Sequence, residues 1–221
     1  MPQEMETLLS DRGNKSQAET DSVAWFPRIS IVTPSFNQGQ YLEECITSVL
    51  DQNYPNLEYI VMDGGSTDKS VEILRKYAKF LTCWQSKPDG GQYAAIGAGF
   101  AMTTGEIMAW INSDDKYHHH AFFKVAHFFQ DKKVEWLTGR HTFWDRNGEL
   151  LKVFYGPMPS FCRAKHLQKE YLRICIQQES TFWRRSLWEK AGNCMRRDLG
   201  YAGDLELWTR FYRFAPLYIF T

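Results

Sequence analysis

The stretch Ile107-Met-Ala-Trp-Ile-Asn-Ser-Asp-Asp115 decides how the fold of this chain is interpreted. Its apolar run stops abruptly at Asn112, and a short continuous run of this kind predicts a buried strand rather than an amphipathic helix. Asp114 and Asp115 would then project from the carboxyl end of that strand, the edge at which open α/β sheets bind ligands. Adjacent carboxylates need a cation or hydrogen-bond donors to stay ionised together, and oxygen ligands of this kind suit magnesium or manganese. The alternative is a turn that only leads into the next helix.

Strands and helices are predicted to alternate before this stretch. In chain order the predicted elements cover residues 29–32, 41–50, 57–62, 71–78, 80–85 and 92–102. Such alternation predicts an α/β fold with a doubly wound, mainly parallel sheet and right-handed crossovers. Pro34 is expected to end the first strand, because proline has no N–H for the strand ladder.

Three strand ends should meet at one edge of this sheet, carrying Thr33-Pro34-Ser35, Asp63 and Asp114-Asp115. The loop after the first strand leads into a helix, an arrangement that favours an anionic or nucleotide ligand. Asp63 could accept hydrogen bonds from a base or a ribose; the alternative for it is plain turn chemistry beside Gly64 and Gly65. No G-x-G-x-x-G or G-x-x-x-x-G-K-[ST] pattern occurs, which argues against dinucleotide enzymes and Walker-type ATPases.

The composition excludes several other classes of protein. Lysine plus arginine and aspartate plus glutamate both number 26, so nothing suggests nucleic-acid wrapping. Five cysteines without C-x-x-C spacing argue against a disulfide framework or zinc site and favour a reducing compartment. No apolar window is long enough to span a membrane, and the N-terminus does not have the pattern of a signal peptide. We expect a cytoplasmic protein, with peripheral association at the inner face of the membrane left open.

The chain is expected to form one domain after a flexible, polar extension over residues 1–27. Within residues 28–221 we distinguish a first half, 28–138, from a smaller α+β half, 139–221, that should cover the carboxyl edge. The expected elements of the second half are a hairpin around Asn147-Gly148, helices at 163–174, 186–191 and 204–214, and a strand at 180–183. Asp204 stands where the N-cap of the last helix belongs.

His118-His119-His120 has the composition of a metal cluster. Consecutive helical residues point to different faces, however, so a solvated helix start at His118 is favoured. One of these histidines near the metal remains the alternative.

The order and spacing of six motifs resemble the family-2 glycosyltransferases of the GT-A fold over about residues 28–220. These motifs are Ile31–Asn37, Tyr59–Asp68, Thr104–Ile107, Asn112–Asp115, Gln178–Arg185 and Gly203–Arg210. The resemblance implies inverting transfer of a sugar from a nucleotide diphosphate donor, UDP being the expected nucleotide, to an acceptor hydroxyl. It also implies Mn²⁺ or Mg²⁺, and a glycan or lipid-linked acceptor.

The resemblance further assigns roles to particular residues. Asp115 and Asp114 would hold the metal, and Asp204 would act as the general base. The residues implied for the nucleotide sugar are Thr33, Pro34, Ser35, Asn37, Asp63, Asp89, Gln92 and Asp114. The residues implied for the acceptor side are Gln178, Glu179, Trp183 and Trp208.

Some positions depart from the family pattern. Ala94, Gly97 and Ala98 replace an acidic residue, an asparagine and a lysine, and Gly203 replaces a glutamate found in many members. The alternative function is therefore a nucleotide-sugar-binding or scaffold protein with little turnover. A nucleotidyltransferase would need a basic triphosphate-binding loop, which the sequence does not contain. Nothing in the sequence fixes the oligomeric state.

Overall fold

The computed structural model describes residues 25–140, 142–145, 148–153, 176–200 and 202–219. Most of the predicted N-terminal extension and the predicted helix at 163–174 lie outside these residues. The last three residues of the extension contact the domain. Tyr54 donates a hydrogen bond to the carbonyl of Pro27 (2.8 Å), and Asn56 donates one to that of Phe26 (3.0 Å).

A mixed sheet forms the centre of the fold. The strands of the described residues are β1 (Ile29–Ser35), β2 (Leu57–Asp63), β3 (Cys83–Ser86), β4 (Ile107–Trp110), β5 (Trp136–Thr138), β6 (Thr142–Trp144), β7 (Leu150–Val153), β8 (Thr181–Arg184) and β9 (Tyr218–Ile219). Seven of them form one sheet in the order β3-β2-β1-β4-β8-β5-β9, and β6 pairs with β7 as a separate hairpin. Strands β1 to β4 are parallel, and β8 runs antiparallel to both neighbours. The predicted α/β class with a mainly parallel sheet is confirmed.

The order of the strands reverses between β1 and β4, so their carboxyl ends flank a topological switch point. The α-helices of the described residues are α1 (Leu42–Leu50), α2 (Ser70–Tyr77), α3 (Gln92–Phe100), α4 (Ala121–Phe128), α5 (Arg185–Lys190) and α6 (Gly203–Phe211). Short 3-10 helices cover Ala78–Phe80 and Gln178–Ser180. The predicted helix start at His118 is wrong. His120 has φ +61°, a left-handed conformation that cannot continue a right-handed helix, so α4 begins at the next residue, Ala121.

Strand β1 does not end at Pro34 but continues through Ser35. Its ladder with β4 ends at the pair Val32–Trp110, whereas its ladder with β2 continues to Ser35–Asp63. Pro34 therefore lies beyond the end of the β4 ladder, at a position with only one paired neighbour, where a sheet tolerates proline.

Tryptophans form the centre of the core. The largest fully buried side chains include Trp110, Trp136, Trp183, Trp188 and Trp208. The ring of Trp208 stacks on Trp110 at 5.5 Å between centroids and on Trp136 at 5.7 Å. These rings come from β4, β5 and α6, so the two halves predicted from the sequence share one core. Trp183 and Trp208 have no exposed surface, a placement that does not suit the acceptor-side contact expected of them.

A buried carboxylate organises the amino-terminal edge of the sheet. Glu58 accepts hydrogen bonds from the Ser30 hydroxyl (2.5 Å) and from the Thr104 N–H (2.7 Å) and hydroxyl (3.0 Å). The Gly105 N–H also faces it at 3.3 Å, and Arg28 pairs with it at 3.4 Å. A β-carbon at Gly105 would overlap the Ser30 hydroxyl. The Thr104–Ile107 motif thus serves packing at the edge opposite to the predicted site.

Candidate functional site

The segment after β4 forms a turn that carries two adjacent carboxylates, Asp114 and Asp115. The Asp115 N–H donates to the carbonyl of Asn112 (3.1 Å), which closes a turn. The Asp115 carboxylate accepts from the side-chain amides of Asn112 (3.2 Å) and Gln178 (3.3 Å). The Asn112 amide oxygen in turn accepts from Gln92 on α3 (2.7 Å). We call residues 112–115 the acid turn.

The acid turn has a charge that neighbouring side chains do not balance. Burial raises the pKa of Asp115 to about 6, and the charge of Asp114 adds to this effect. Among the described residues no lysine or arginine forms an ion pair with either carboxylate, and the adjacent Lys116 pairs with Glu44 at 2.5 Å. Burial likewise raises the pKa of Glu179 to about 7, with a further contribution from Asp115.

The donor set of the acid turn fits a magnesium or manganese ion. Asp114 and Asp115 supply hard oxygen ligands, and a divalent cation would provide the charge that no side chain there provides. No three histidine, cysteine, aspartate or glutamate side chains converge on one point in the described part of the chain. The remaining ligands would therefore be water or phosphate oxygens, as is usual for Mg²⁺.

A cleft of about 740 Å³ opens at the carboxyl ends of β1 and β4. We call it the first cleft. Its lining includes five of the residues predicted for the nucleotide sugar, which are Pro34, Ser35, Asp89, Gln92 and Asp114. The Ser35 hydroxyl is buried and has no hydrogen-bond partner among the described residues. A buried polar atom without a partner is costly, so this hydroxyl is suited to bond a ligand.

Phe36 also lines the first cleft, and sequence analysis overlooked it. Its side chain is 61% exposed and lies beside Gly64, where a β-carbon would come within 3.3 Å of the ring. The exposed ring is therefore available to a ligand in this cleft. The available signal was an aromatic residue inside an otherwise polar loop directly after a strand end.

The other three residues predicted for the nucleotide sugar do not line the first cleft, but they hold the loops around it. Thr33 is fully buried, and its hydroxyl lies 3.0 Å from that of Tyr59. The Asn37 side chain accepts a hydrogen bond from the Thr67 N–H (2.9 Å), which ties the loops after β1 and β2 together. Asp63 is 1% exposed, and its carboxylate accepts hydrogen bonds from Ser66 and Ser86. In the structure Asp63 therefore stabilises the turn that follows β2, which is the alternative considered for it.

A second cleft of about 700 Å³ adjoins the first and shares Asn112 and Asp114 with it. Its lining adds Asp115, Lys116, Trp144, Gln178 and Glu179. Lys116 lies 4.1 Å from the Trp144 ring and donates to the carbonyl of Gly148 (2.6 Å), so it fixes the β6–β7 hairpin as one wall. Gln178 and Glu179 thus lie beside the acid turn.

The three histidines do not join the acid turn. His118, His119 and His120 are exposed, as expected for a solvated segment, and the ring of His118 hydrogen-bonds the Thr142 hydroxyl (3.0 Å).

Asp204 is not the N-cap of the last helix. The residue before α6 is Ala202, and Asp204 is the second residue of the helix. Its carboxylate accepts a hydrogen bond from the Leu205 N–H (2.7 Å), and burial raises its pKa. A raised pKa increases the basicity of a carboxylate, which suits a group that accepts a proton.

Two of the sequence departures lie where the two halves contact each other. A β-carbon at Gly203 would lie 2.7 Å from the ring of Tyr93, so a larger residue does not fit. A β-carbon at Gly97 would meet only Met195, at 3.8 Å. Ala94 is buried, and Ala98 is partly buried against the core.

The strand order, the switch point and the clefts define an α/β protein of the GT-A class, and comparisons with known proteins agree. The profile of glycosyl transferase family 2 matches residues 30–190. The chain belongs to this family.

Similar curated proteins include glycosyltransferases from bacteria. The putative teichuronic acid biosynthesis glycosyltransferase TuaG of Bacillus subtilis (strain 168) is 29% identical over 163 residues, which cover 71% of this chain and 65% of TuaG. The uncharacterized glycosyltransferase Rv1514c of Mycobacterium tuberculosis (strain ATCC 25618 / H37Rv) is 32% identical over 188 residues, which cover 81% and 67%. The chain therefore corresponds to about two thirds of the length of these relatives.

Solved structures share the fold. Staphylococcus aureus TarS gives a TM-score of 0.71 at 18% identity, covering 88% of this chain and 35% of TarS. A complex of TarS 1-349 with UDP-GlcNAc gives 0.68 at 20% identity, with coverages of 87% and 56%. The mannosyltransferase PcManGT from Pyrobaculum calidifontis, in complex with GDP-Man and Mn²⁺, gives 0.66 at 19% identity, with coverages of 89% and 55%. In the described part of the present chain, no helix has the length and apolarity needed to cross a membrane.

Proposed function

We propose that this chain transfers a sugar from a nucleoside diphosphate donor, a UDP-sugar, to an acceptor hydroxyl with inversion at the anomeric carbon. The single observation that carries the proposal is the acid turn, whose unbalanced carboxylates lie at the switch point between two adjoining clefts. We further propose a cytoplasmic site of action and a glycan or lipid-linked acceptor.

The first cleft would hold the nucleotide. The exposed ring of Phe36 offers a stacking face for a base, and the unpartnered Ser35 hydroxyl offers a hydrogen bond. Asp89 and Gln92 line the same cleft closer to α3. Thr33, Asn37 and Asp63 would act indirectly, because their side chains hold the loops that shape the cleft.

Asp114 and Asp115 would hold a divalent cation, Mn²⁺ or Mg²⁺, against the donor diphosphate. Such a cation stabilises the negative charge that develops on a departing diphosphate. One carboxylate oxygen of Asp115, Oδ2, accepts hydrogen bonds from the side-chain amides of Asn112 and Gln178, which orient the carboxylate. Orientation of a ligand by its neighbours is worth about 10–100-fold in metal affinity.

Asp204 would act as the general base. It would accept the proton of the acceptor hydroxyl as that oxygen attacks the anomeric carbon on the face opposite to the diphosphate. The Leu205 N–H bonds one carboxylate oxygen, Oδ1, and a carboxylate has further lone pairs available for this role. Its raised pKa supports the assignment, since a stronger base accepts the proton more readily. Gln178 and Glu179, which line the second cleft, would contact the acceptor.

The test replaces Asp204 by asparagine. Transfer, measured as UDP release from UDP-sugars with Mn²⁺ and acceptor glycans, should fall by about 10²–10⁴-fold. Binding of UDP with Mn²⁺, measured by calorimetry, should stay unchanged because Asp204 does not line the first cleft. The matched control is Asp198→Asn, an exposed carboxylate before α6 that pairs with Arg196. Full activity of Asp204→Asn would sink the base assignment.

The departures at Ala94, Gly97 and Ala98 favour a second candidate, a nucleotide-sugar-binding protein with little turnover. A screen of UDP-, GDP- and dTDP-sugars distinguishes the two. Binding without release of nucleotide from any donor would support the binding protein, and release from one donor would exclude it.

A further inference from the structure

The first turn of α3 contacts both segments that carry the carboxylates of the proposed chemistry, the acid turn and the start of α6. Gln92 donates a hydrogen bond to Asn112 in the acid turn (2.7 Å). Its neighbour Tyr93 accepts one from the Asp204 N–H at the start of α6 (3.4 Å). Successive helical side chains are about 100° apart, so adjacent residues can reach two separate elements. One rigid turn thereby connects the two halves of the site.

Tyr93 and Gly203 are complementary in shape. Tyr93 is 8% exposed, and its ring lies directly against the α-carbon of Gly203. A β-carbon at Gly203 would lie 2.7, 2.8 and 2.9 Å from three ring carbons, closer than packed carbon atoms approach. The glycine therefore admits the ring, and the ring brings its hydroxyl to the backbone and side chain of Asp204.

The hydroxyl of Tyr93 also acts on the Asp204 carboxylate. Burial raises the pKa of Asp204, and the hydrogen bonds from the Leu205 N–H and the Tyr93 side chain oppose that rise. The charge of Asp204 also contributes to the raised pKa of Glu179. The remaining charged groups on α6 do not compete, because Glu206 pairs with Arg210 at 2.9 Å.

We propose that Tyr93 is a positioning residue for Asp204, and that Gly203 is present because it admits the Tyr93 ring. This inference rests on the proposed function, in which Asp204 accepts the proton of the acceptor. The Tyr93 hydroxyl holds the first turn of α6 against the first turn of α3, which Gln92 fixes to the acid turn. The position of the base is thereby set relative to the donor rather than by the second half alone.

The first experiment measures Tyr93→Phe, which keeps the ring and removes the hydroxyl. With UDP-GlcNAc and Mn²⁺ as the first probe, or the donor found active in the screen, kcat for UDP release should fall about tenfold, as for a lost hydrogen bond to a charged group. KM for the donor should not change. Tyr77→Phe is the matched control, since it removes a hydroxyl bonded to Glu43, and neither of these residues lines either cleft. An unchanged kcat for Tyr93→Phe beside an inactive Asp204→Asn would overturn the positioning role.

The two proposals fail in different ways. If Asp204→Asn keeps its activity, the base assignment fails, whatever Tyr93→Phe does. The contact between Tyr93 and Asp204 can then still be tested by a measurement that does not depend on turnover. The pKa of Asp204, followed through its side-chain carbon shift in NMR, should be higher in Tyr93→Phe than in the wild type or in Tyr77→Phe. The same pKa in all three proteins would contradict the contact itself.

A stability cycle tests the packing of Gly203. Gly203→Ala should lower the melting temperature in the wild-type background, because its β-carbon overlaps the ring. In a Tyr93→Ala background the ring is absent, so the same substitution should cost little. An equal loss in both backgrounds would show that the ring is not what Gly203 accommodates.

Discussion

The two edges of the central sheet contain buried carboxylates in opposite situations. At the amino-terminal edge, Glu58 is hydrogen-bonded to Ser30 and Thr104 and pairs with Arg28. Burial alone would raise its pKa, but these partners more than offset burial and hold the pKa below its usual value. At the carboxyl-terminal edge, the hydrogen-bond donors to the Asp115 carboxylate within the described residues are two side-chain amides, and its pKa is raised.

The difference separates a carboxylate whose charge the surrounding groups compensate from one whose charge they do not. A buried charge costs free energy unless partners compensate for it, and the protein supplies those partners at only one edge. Ser35 and Gln178 at the carboxyl-terminal edge add a hydroxyl and an amide oxygen that are buried without partners among the described residues. Incomplete pairing at this edge is what distinguishes the candidate site from the core.

The largest effect is expected for Asp115→Asn. Binding of UDP that depends on Mn²⁺ should weaken by at least about 100-fold, because the substitution removes a proposed direct ligand and not merely its orientation. The melting temperature without metal should not fall, since the substitution removes an uncompensated buried charge. Calorimetry and thermal unfolding measure the two outcomes, with Asp198→Asn as the control. A marked loss of stability in metal-free protein would mean that this carboxylate is structural, as Glu58 is.

The next effect is expected for Gly105→Ala at the opposite edge. The new β-carbon would overlap the Ser30 hydroxyl and lie 2.7 Å from the Arg28 carbonyl. Overpacking of this kind should lower the free energy of unfolding by about 3 kcal/mol, measured by urea denaturation. Gly97→Ala is the matched control in α3, where the β-carbon meets nothing closer than 3.8 Å, and it should stabilise by about 0.5–1 kcal/mol. Similar values for both variants would contradict the closed packing at Gly105.

The smallest effect is expected for Glu58→Gln. The amide places an N–H₂ group among donors, so the free energy of unfolding at pH 7 should fall by about 2 kcal/mol. Because the pKa of Glu58 is lowered on folding, its ionised form stabilises the protein above the unfolded value of about 4.5. That contribution disappears as the pH falls through the folded pKa. The wild type and Glu58→Gln should therefore converge in stability in acid, and a constant difference across this range would be evidence against the pKa shift.

Much of the first half could be predicted because its elements have local signals. Apolar runs and the polar residues that end them predicted β1, β2 and β4 to within a few residues, and with them the position of the acid turn. The helix start at His118 could not be predicted, since the left-handed conformation of His120 has no reliable signal in a histidine. The continuation of β1 through Pro34 depends on where its neighbour β4 ends, which is a tertiary property.

The second half was harder to predict because its positions depend on distant partners. Nothing near Thr181–Arg184 indicates that this strand inserts antiparallel between β4 and β5. Tryptophan occurs both in sugar-binding surfaces and in cores, so the sequence could not show that Trp183 and Trp208 are buried. The role of Gly203 was likewise invisible, because the Tyr93 ring that explains it is 110 residues earlier in the chain.

The stacked tryptophans at the junction between the halves should contribute to the near-ultraviolet circular dichroism spectrum. The rings of Trp110 and Trp208 are 5.5 Å apart and inclined by 10°, close enough for their electronic transitions to couple. One ring belongs to the strand that carries the acid turn, and the other to the helix that carries Asp204. The near-ultraviolet circular dichroism of this chain should therefore respond to changes in how β4 packs against α6.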